Sequence, residues 1–425
     1  MELIRVFANP RRSMQRVGFL KHLLWRASQS STNNLSNLGK DLISSVSQKV
    51  SVSLTPQLQK YIKSVLVGTS FADLRAAALR YLNSTSTGQE VRLELQDFYL
   101  SDQSLSSCRG RLGSDDWHRY PHLALGLGFL RKGTYSLLVR GQSFLSLMSE
   151  DEKKAFVITS GNAFMNKRTN PFLLNIQQKI LLLFSFIERD SDVLCRLYKK
   201  LLQLKGPFAD KEAGDYLPEA YRDIAKEARP KTRNRDESLR VEALLDTAGK
   251  IEALRGKPSP GGKNPREHAI TIRLEPYVDI GLLSKPDPFA GRYEISDEAR
   301  NFFRSITAAE KIEHFLESNF FSATNEALNI NKVHRSVKNA VLYFIQKAYN
   351  TLKSPLGYAP ILEVSLLAGI YSILETDSFF EISESKSILM ALQKENPEVV
   401  RFNVDRLGSL ALVKFNGDIV VTLDS

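Results

Sequence analysis

The residues in this chain best suited to act on another molecule are cations rather than catalysts. "EARPKTRNRDE" sets Arg229, Lys231, Arg233 and Arg235 at alternate positions between two helical stretches. A row of positive charges at that spacing suits a row of phosphates, because each phosphate neutralised releases condensed counterions. Lys257 and Lys263 follow in "GKPSPGGKNPRE", whose Gly and Pro content makes it a loop, and Arg266 closes it. The groups that make and break bonds are scattered. His118 and His122 stand four apart, a metal-capable spacing on a helix, but Pro121 lies between them and no third ligand follows. "SESK", Ser383 to Lys386, spells Ser-x-x-Lys, yet at a helix start Ser383 reads as a cap. HExxH, CxxC, GxxxxGK[ST] and GxSxG are all missing. No catalytic residue, metal or cofactor is expected. The enzymatic alternative is a restriction-type endonuclease whose metal-dependent core is degenerate in sequence.

The whole composition points the same way. The 425 residues carry a net charge of +11 with a pI near 9.4, which favours a polyanionic partner. The charge is uneven: residues 1–70 hold ten Lys/Arg against two acids, and residues 360–425 hold five against ten. Cys108 and Cys195 are the only cysteines, which excludes a disulfide framework and predicts a reducing compartment, the cytoplasm by default. The longest apolar run, "ILLLFSFI", is too short to cross a bilayer. The Arg- and Ser-rich start also has the composition of an organelle transit peptide. It is read here as an intrinsic basic helix.

Elements able to position the cations follow from periodicity. Helices are expected at 10–27, in "PQLQKYIKSVLV" and "FADLRAAALRYLN", through 170–204 with a break near "RDSD", from a capping Asp236 to Gly256, and at 297–320, 333–353, 359–375 and 384–395. Strands are expected in "VVRFNV", "LALVKF" and "DIVVTL". The class is mainly α with small β-hairpins.

Two stretches resemble one another. In "YPHLALGLGFLRKGTYSLLVRGQSFLSL" (120–147) and "LEPYVDIGLLSKPDPFAGRYEISDEARNFF" (274–303), Pro121 precedes Gly126 as Pro276 precedes Gly281, and Leu follows each Gly. A basic residue and a Gly turn come next, then Tyr135 or Tyr293, and Phe144 or Phe302 nine residues later. Matching Gly128 to Gly281 is an alternative register. A fainter third unit lies at the end, where "SILETDS" echoes "SFIERDS" and a helix and two strands follow.

An apolar–Gly–Leu exit, a basic tip, Gly-x-Tyr and a helix bearing an aromatic resemble the wing of winged helix-turn-helix DNA-binding domains. The resemblance implies tandem winged-helix-like modules joined by helical segments. These are a basic N-terminal helical segment (1–55), a first module (56–150), a second (170–306) with a basic insertion (226–268), and a helical linker with a C-terminal module (307–425). Ser296 fits the position after the second strand, and Leu138 departs from it. The resemblance also implies a helix before each wing that enters the major groove. That offers Arg109, Arg111, His118 and Arg119 in the first copy and Arg266 and Arg273 in the second, with Arg131, Lys132, Lys285 and Arg292 on the wings. The function so implied is double-stranded DNA binding, without catalysis, as part of a prokaryotic DNA-processing, restriction or phage-defence system. An ATPase or nuclease subunit would be its protein partner, and no membrane is involved. The further alternative is a protein-binding scaffold that bridges ATPase subunits.

Overall fold

Asn175 opens the helix around which the chain is built. In the computed structural model, which describes residues 3–7, 17–29, 119–157, 174–253, 269–285, 292–405 and 410–417, its side chain accepts the Gln178 N–H at 2.9 Å while Gln178 reaches back to the Asn175 N–H. This reciprocal cap satisfies two donors that the first turn would otherwise orphan.

Before this helix lie α1 (Phe19–Gln29), α2 (Arg119–Gly126), α3 (Val139–Ser146) and α4 (Glu150–Val157); the helix itself is α5 (Ile176–Leu201). Then come β1 (Phe208–Ala209), α6 (Asp210–Gly214), α7 (Leu217–Ala228), α8 (Arg235–Ala253), α9 (Glu275–Ile280), β2 (Leu283–Ser284), β3 (Arg292–Ile295) and α10 (Asp297–Ala308). A linker of α11 (Ile312–Ser318), α12 (Phe320–Ala327) and β4 (Val333–His334) leads to the last group. That group is α13 (Lys338–Leu352), β5 (Ala359–Pro360), α14 (Ile361–Glu375), β6 (Ser378–Phe379), α15 (Ile382–Glu395), β7 (Val400–Val404) and β8 (Leu410–Phe415). The molecule is mainly α-helical with small sheets. No helix among the described residues is long and apolar enough to cross a membrane.

The break expected near "RDSD" is a kink at Asp190, whose φ of −130° and ψ of 15° leave the helical region. Ser296 caps α10 by accepting the Ala299 N–H at 3.2 Å. Other expectations shift. Asn234 rather than Asp236 caps α8, accepting the Glu237 N–H at 2.9 Å, because it stands one residue before the first helical turn. Ser383 caps nothing: α15 starts at Ile382, and Glu384 takes the Glu381 N–H at 2.7 Å. The stretch 297–320 divides at Ala309, and 333–337 is extended, with β4 pairing parallel to β6. The "PQLQKYIKSVLV", "FADLRAAALRYLN" and "DIVVTL" expectations lie outside the described residues.

The repeat has a definite register. Gly281 is left-handed at φ 102°, and the Leu282 N–H behind it returns to the Tyr277 carbonyl at 2.8 Å. Gly128 is left-handed at φ 75°, and the Phe129 N–H returns to the Ala124 carbonyl at 2.8 Å. Gly128 therefore corresponds to Gly281, and Gly126 is an ordinary last helical residue. Past the tips, Leu130 bridges Leu137 as Leu283 pairs Ile295.

Two sheets share one topology. β1, β3 and β2 lie side by side in that order, so the strand preceding the helices sits beside the last strand; β5, β8 and β7 repeat the arrangement. One connected apolar core runs beneath both. Phe303 of α10 stacks on Tyr198 of α5 at 3.7 Å between ring centroids, and Phe184 meets Phe320 edge-on at 5.2 Å.

Buried charges fasten the parts. Arg140 of α3 pairs with Glu188 of α5 and with Glu363 of α14, a three-way contact between segments far apart in sequence. Burial works against the Arg140 charge, and the carboxylates of Glu363 and Glu188 outweigh it, so its pKa is raised. Lys21 of α1, fully buried, pairs with Glu152 of α4. At the α5 kink, Asp190 accepts the Phe7 N–H at 2.8 Å and the Arg273 Nη2 at 2.9 Å. The Arg5 N–H donates to Asp192 at 2.7 Å. Residues 3–7 thus lie along the kink as a strap, with Phe7 seated against Gly126, where a Cβ would come within 2.5 Å of its ring.

Candidate nucleic-acid interface

The wing-like hairpins depend on turns that only some residues tolerate. In the first, the Tyr135 N–H donates to the Arg131 carbonyl and the Arg131 N–H to the Ser136 carbonyl, both at 2.9 Å. Gly133 at φ 94° and Tyr135 at φ 50° close the tip, and Arg131 and Lys132 stand exposed on it. The cost of Tyr135 in the left-handed region marks a turn fixed by its surroundings.

The alternating cations form the corner between α7 and α8. A single 3₁₀ turn over Arg229–Lys231 reverses the chain, and Thr232 Oγ1 donates to the Arg229 carbonyl at 3.0 Å. The Arg233 N–H donates to Glu237 at 2.7 Å, which locks the corner to the start of α8. Arg229, Lys231, Arg233 and Arg235 are all exposed, and none pairs with a carboxylate among the described residues. Neighbouring charges behave differently: Arg222 pairs with Glu252, Arg196 with Glu227 and Lys250 with Asp246. The Arg196–Glu227 pair ties α5 to the end of α7 just before the corner, and the other two lie further along the hairpin.

Two expected contacts are corrected. Arg273 cannot reach a phosphate, because it is 1% exposed and its Nε lies 2.7 Å from Asp190 Oδ2, with Nη1 donating to the Ala269 carbonyl. Lys285 pairs with Glu275, which also accepts the Tyr293 hydroxyl at 2.6 Å, and its ammonium lies 5.0 Å from the Tyr293 ring centre; it braces the second hairpin from inside. Arg292 is exposed on β3. Arg119 is the first residue of α2. Arg109, Arg111, His118, Lys257, Lys263 and Arg266 lie outside the described residues, so the His118–His122 pair is not placed; His122 is exposed.

The groove-reading role expected before Gly281 meets a further obstacle. From Ala269 to Ile280 every side chain is buried except Val278, which is half-buried. The strap, α5 and α10 enclose this segment: Arg273 touches the strap, Asp279 accepts the Val17 N–H at 2.6 Å, and Tyr277 packs on Tyr198 and Phe303. A helix without a free face cannot enter a major groove.

Sequence reasoning missed Arg240. It projects from α8 into a cleft of about 680 Å³ that is also lined by Gly128 and Leu138 of the first hairpin. The separation of Arg240 from Arg235 along α8 is about 7.5 Å at 1.5 Å per residue. The exposed tip at Arg131 and Lys132 lies just beyond Gly128. Arg240 and the base of the first hairpin, about a hundred residues apart in the chain, therefore line one cleft, a proximity no local motif encodes. Among the described residues no group of three His, Cys, Asp or Glu could hold a metal ion. Cys195 is half-buried, and burial pushes its thiol up to about 12, which disfavours the thiolate. The described interface can attract and hold an anion. No protein-family model, curated protein or solved structure matches the chain.

Proposed function

We propose that this protein is a non-catalytic, duplex DNA-binding component of a larger DNA-processing assembly, and that it grips phosphates through the basic corner rather than reading bases with an inserted helix. The observation that carries this is the cleft in which Arg240 of α8 meets Gly128 and Leu138 at the base of the first hairpin, with the exposed Arg229–Arg235 corner leading into α8 and Arg131 and Lys132 on that hairpin's tip. The helix–strand–helices–hairpin order of 176–308, with its sheet order, supports a winged-helix-like frame, and the enclosure of 269–280 supports using that frame as scaffold.

Each phosphate neutralised on B-form DNA contributes about −0.9 to the slope of log affinity against log salt, so seven cations would give a slope of about −6. Binding of a labelled duplex across a salt series tests this, and a flat response would exclude the electrostatic mechanism. Arg233→Glu with Arg235→Glu should weaken binding to all sequences alike and lower the slope by about 2. Unchanged affinity would remove the corner from the interface.

A second reading, a scaffold that binds proteins through its C-terminal module, is favoured by the exposed Met390 on α15 and the acidic balance of residues 360–425. It predicts co-purification with a partner and no salt-sensitive DNA shift.

A further inference from the structure

The cleft beside Arg240 has a composition that a phosphate grip alone does not need. Leu125, Leu138 and Leu244 give it apolar walls, and Phe7 of the strap contributes an aromatic ring. Arg189 and Arg240 stand in it, and no Asp or Glu lines it among the described residues. Arg189 lies between Glu188 and Gly128. It lies 3.4 Å from Glu188, and its Nη2 is so close over Gly128 that a Cβ there would be 3.2 Å away. Arg240 is exposed and pairs with no carboxylate among the described residues.

About 680 Å³ is far too small for a duplex and falls within the size range of small-ligand pockets. Planar guanidinium groups both stack on bases and take phosphate oxygens in a fork, and apolar walls accept the faces of any base. From this geometry we infer that the cleft takes a single unpaired nucleotide, at a duplex end or a junction, whose neighbouring phosphates run onto the Arg229–Arg235 corner. The inference rests on the DNA-binding reading and names the DNA feature it prefers. Arg240 holds the phosphate of that nucleotide, and Leu138 and Leu244 cover its base.

The test uses the full chain with two probes, a blunt hairpin duplex and the same duplex with a short single-stranded extension that carries 2-aminopurine. Affinity is read by anisotropy, and base environment by 2-aminopurine fluorescence. The extended probe should bind about tenfold tighter, as one stacked base contributes, and its fluorescence should change on binding. Ala243→Phe fills the cleft from an exposed position on α8 and so spares the core. It should abolish the preference and leave blunt-duplex affinity unchanged. Arg240→Gln should shrink the preference. Equal binding of the two probes, with salt dependence intact, would overturn the nucleotide site and leave the phosphate grip standing. A preference that survives Ala243→Phe would also overturn it. Failure to bind either probe would overturn the site together with the DNA-binding reading. Displacement of the extension by a glutamate-rich peptide, with the same dependence on Ala243, would assign the cleft to a protein partner instead.

Discussion

Segments 176–308 and 338–415 thread the same parts in the same order, a helix, an edge strand, further helices and a hairpin whose last strand pairs back to the first. They differ in what lies between the edge strand and the helix before the hairpin. In the later segment that space holds only α14 and the short β6. In the earlier one it holds the long α7–α8 hairpin, and the unpaired cations sit on that addition. Each frame holds a buried carboxylate that ties a neighbouring segment to it. Asp190 joins the strap and Arg273 to α5; Glu381 accepts the Phe321 and Ser322 N–H groups at 3.0 and 2.7 Å, joining the linker to α15. The shared frame supplies rigidity, and the four corner cations sit on what was inserted into it.

The most severe way to break this comparison is to cut the tie between the two frames. Arg140→Met leaves the half-buried Glu363 without its partner and Glu188 with Arg189 alone, which should cost about 3 kcal/mol. Denaturant unfolding should then separate into two transitions, and a single transition at unchanged midpoint would show that the frames do not depend on this contact. The same pair sets an acid limit. Burial would raise the Glu188 pKa, but Arg140 outweighs it, so the folded-state value lies below the ordinary 4.5. Its stabilisation is complete above 4.5 and is lost as pH falls through the lowered folded value. Arg140→Met should shift acid unfolding to higher pH.

A smaller effect sharpens the contrast between a packed frame and the strap laid over it. A Cβ at Gly369 would come within 2.5 Å of the Phe321 ring, and one at Gly126 within 2.5 Å of Phe7. Phe321 is enclosed by Phe320 and α14, whereas Phe7 belongs to a short segment able to shift. Gly369→Ala should cost about 1–3 kcal/mol by overpacking. Gly126→Ala should cost less, with hydrogen exchange rising at residues 3–7. Equal losses would mean that the strap is as rigid as the core.

The smallest expected effect is none at all. With its thiol pushed up to about 12 by burial, Cys195 should resist alkylation of the native protein at pH 8 and react on unfolding. Rapid native labelling, read by peptide mass, would show that the α5–α10 seam opens.

Local signals made much of the frame legible. The apolar run before "RDSD" predicted α5 and its break, Ser296 the start of α10, and the Gly–Leu exit the hairpin at 281–295. Caps, periodicity and left-handed glycines act over a few residues, and so leave their mark in the string. The Arg140–Glu188–Glu363 contact left no such mark, because its members come from three separate apolar runs, "SLLVRGQSF", "FSFIERD" and "PILEVSLL".

By itself, then, the sequence determined the helical class, the Gly–Leu exit into the hairpin at 281–295, and an excess of cations outside the acidic end. Tertiary structure alone decided which cations meet water. Arg273 and Arg233 are the same residue type, yet one neutralises Asp190 in the core and the other faces solvent. Burial of a charge depends on a carboxylate brought close by folding, here from 83 residues away, and no local pattern records that encounter.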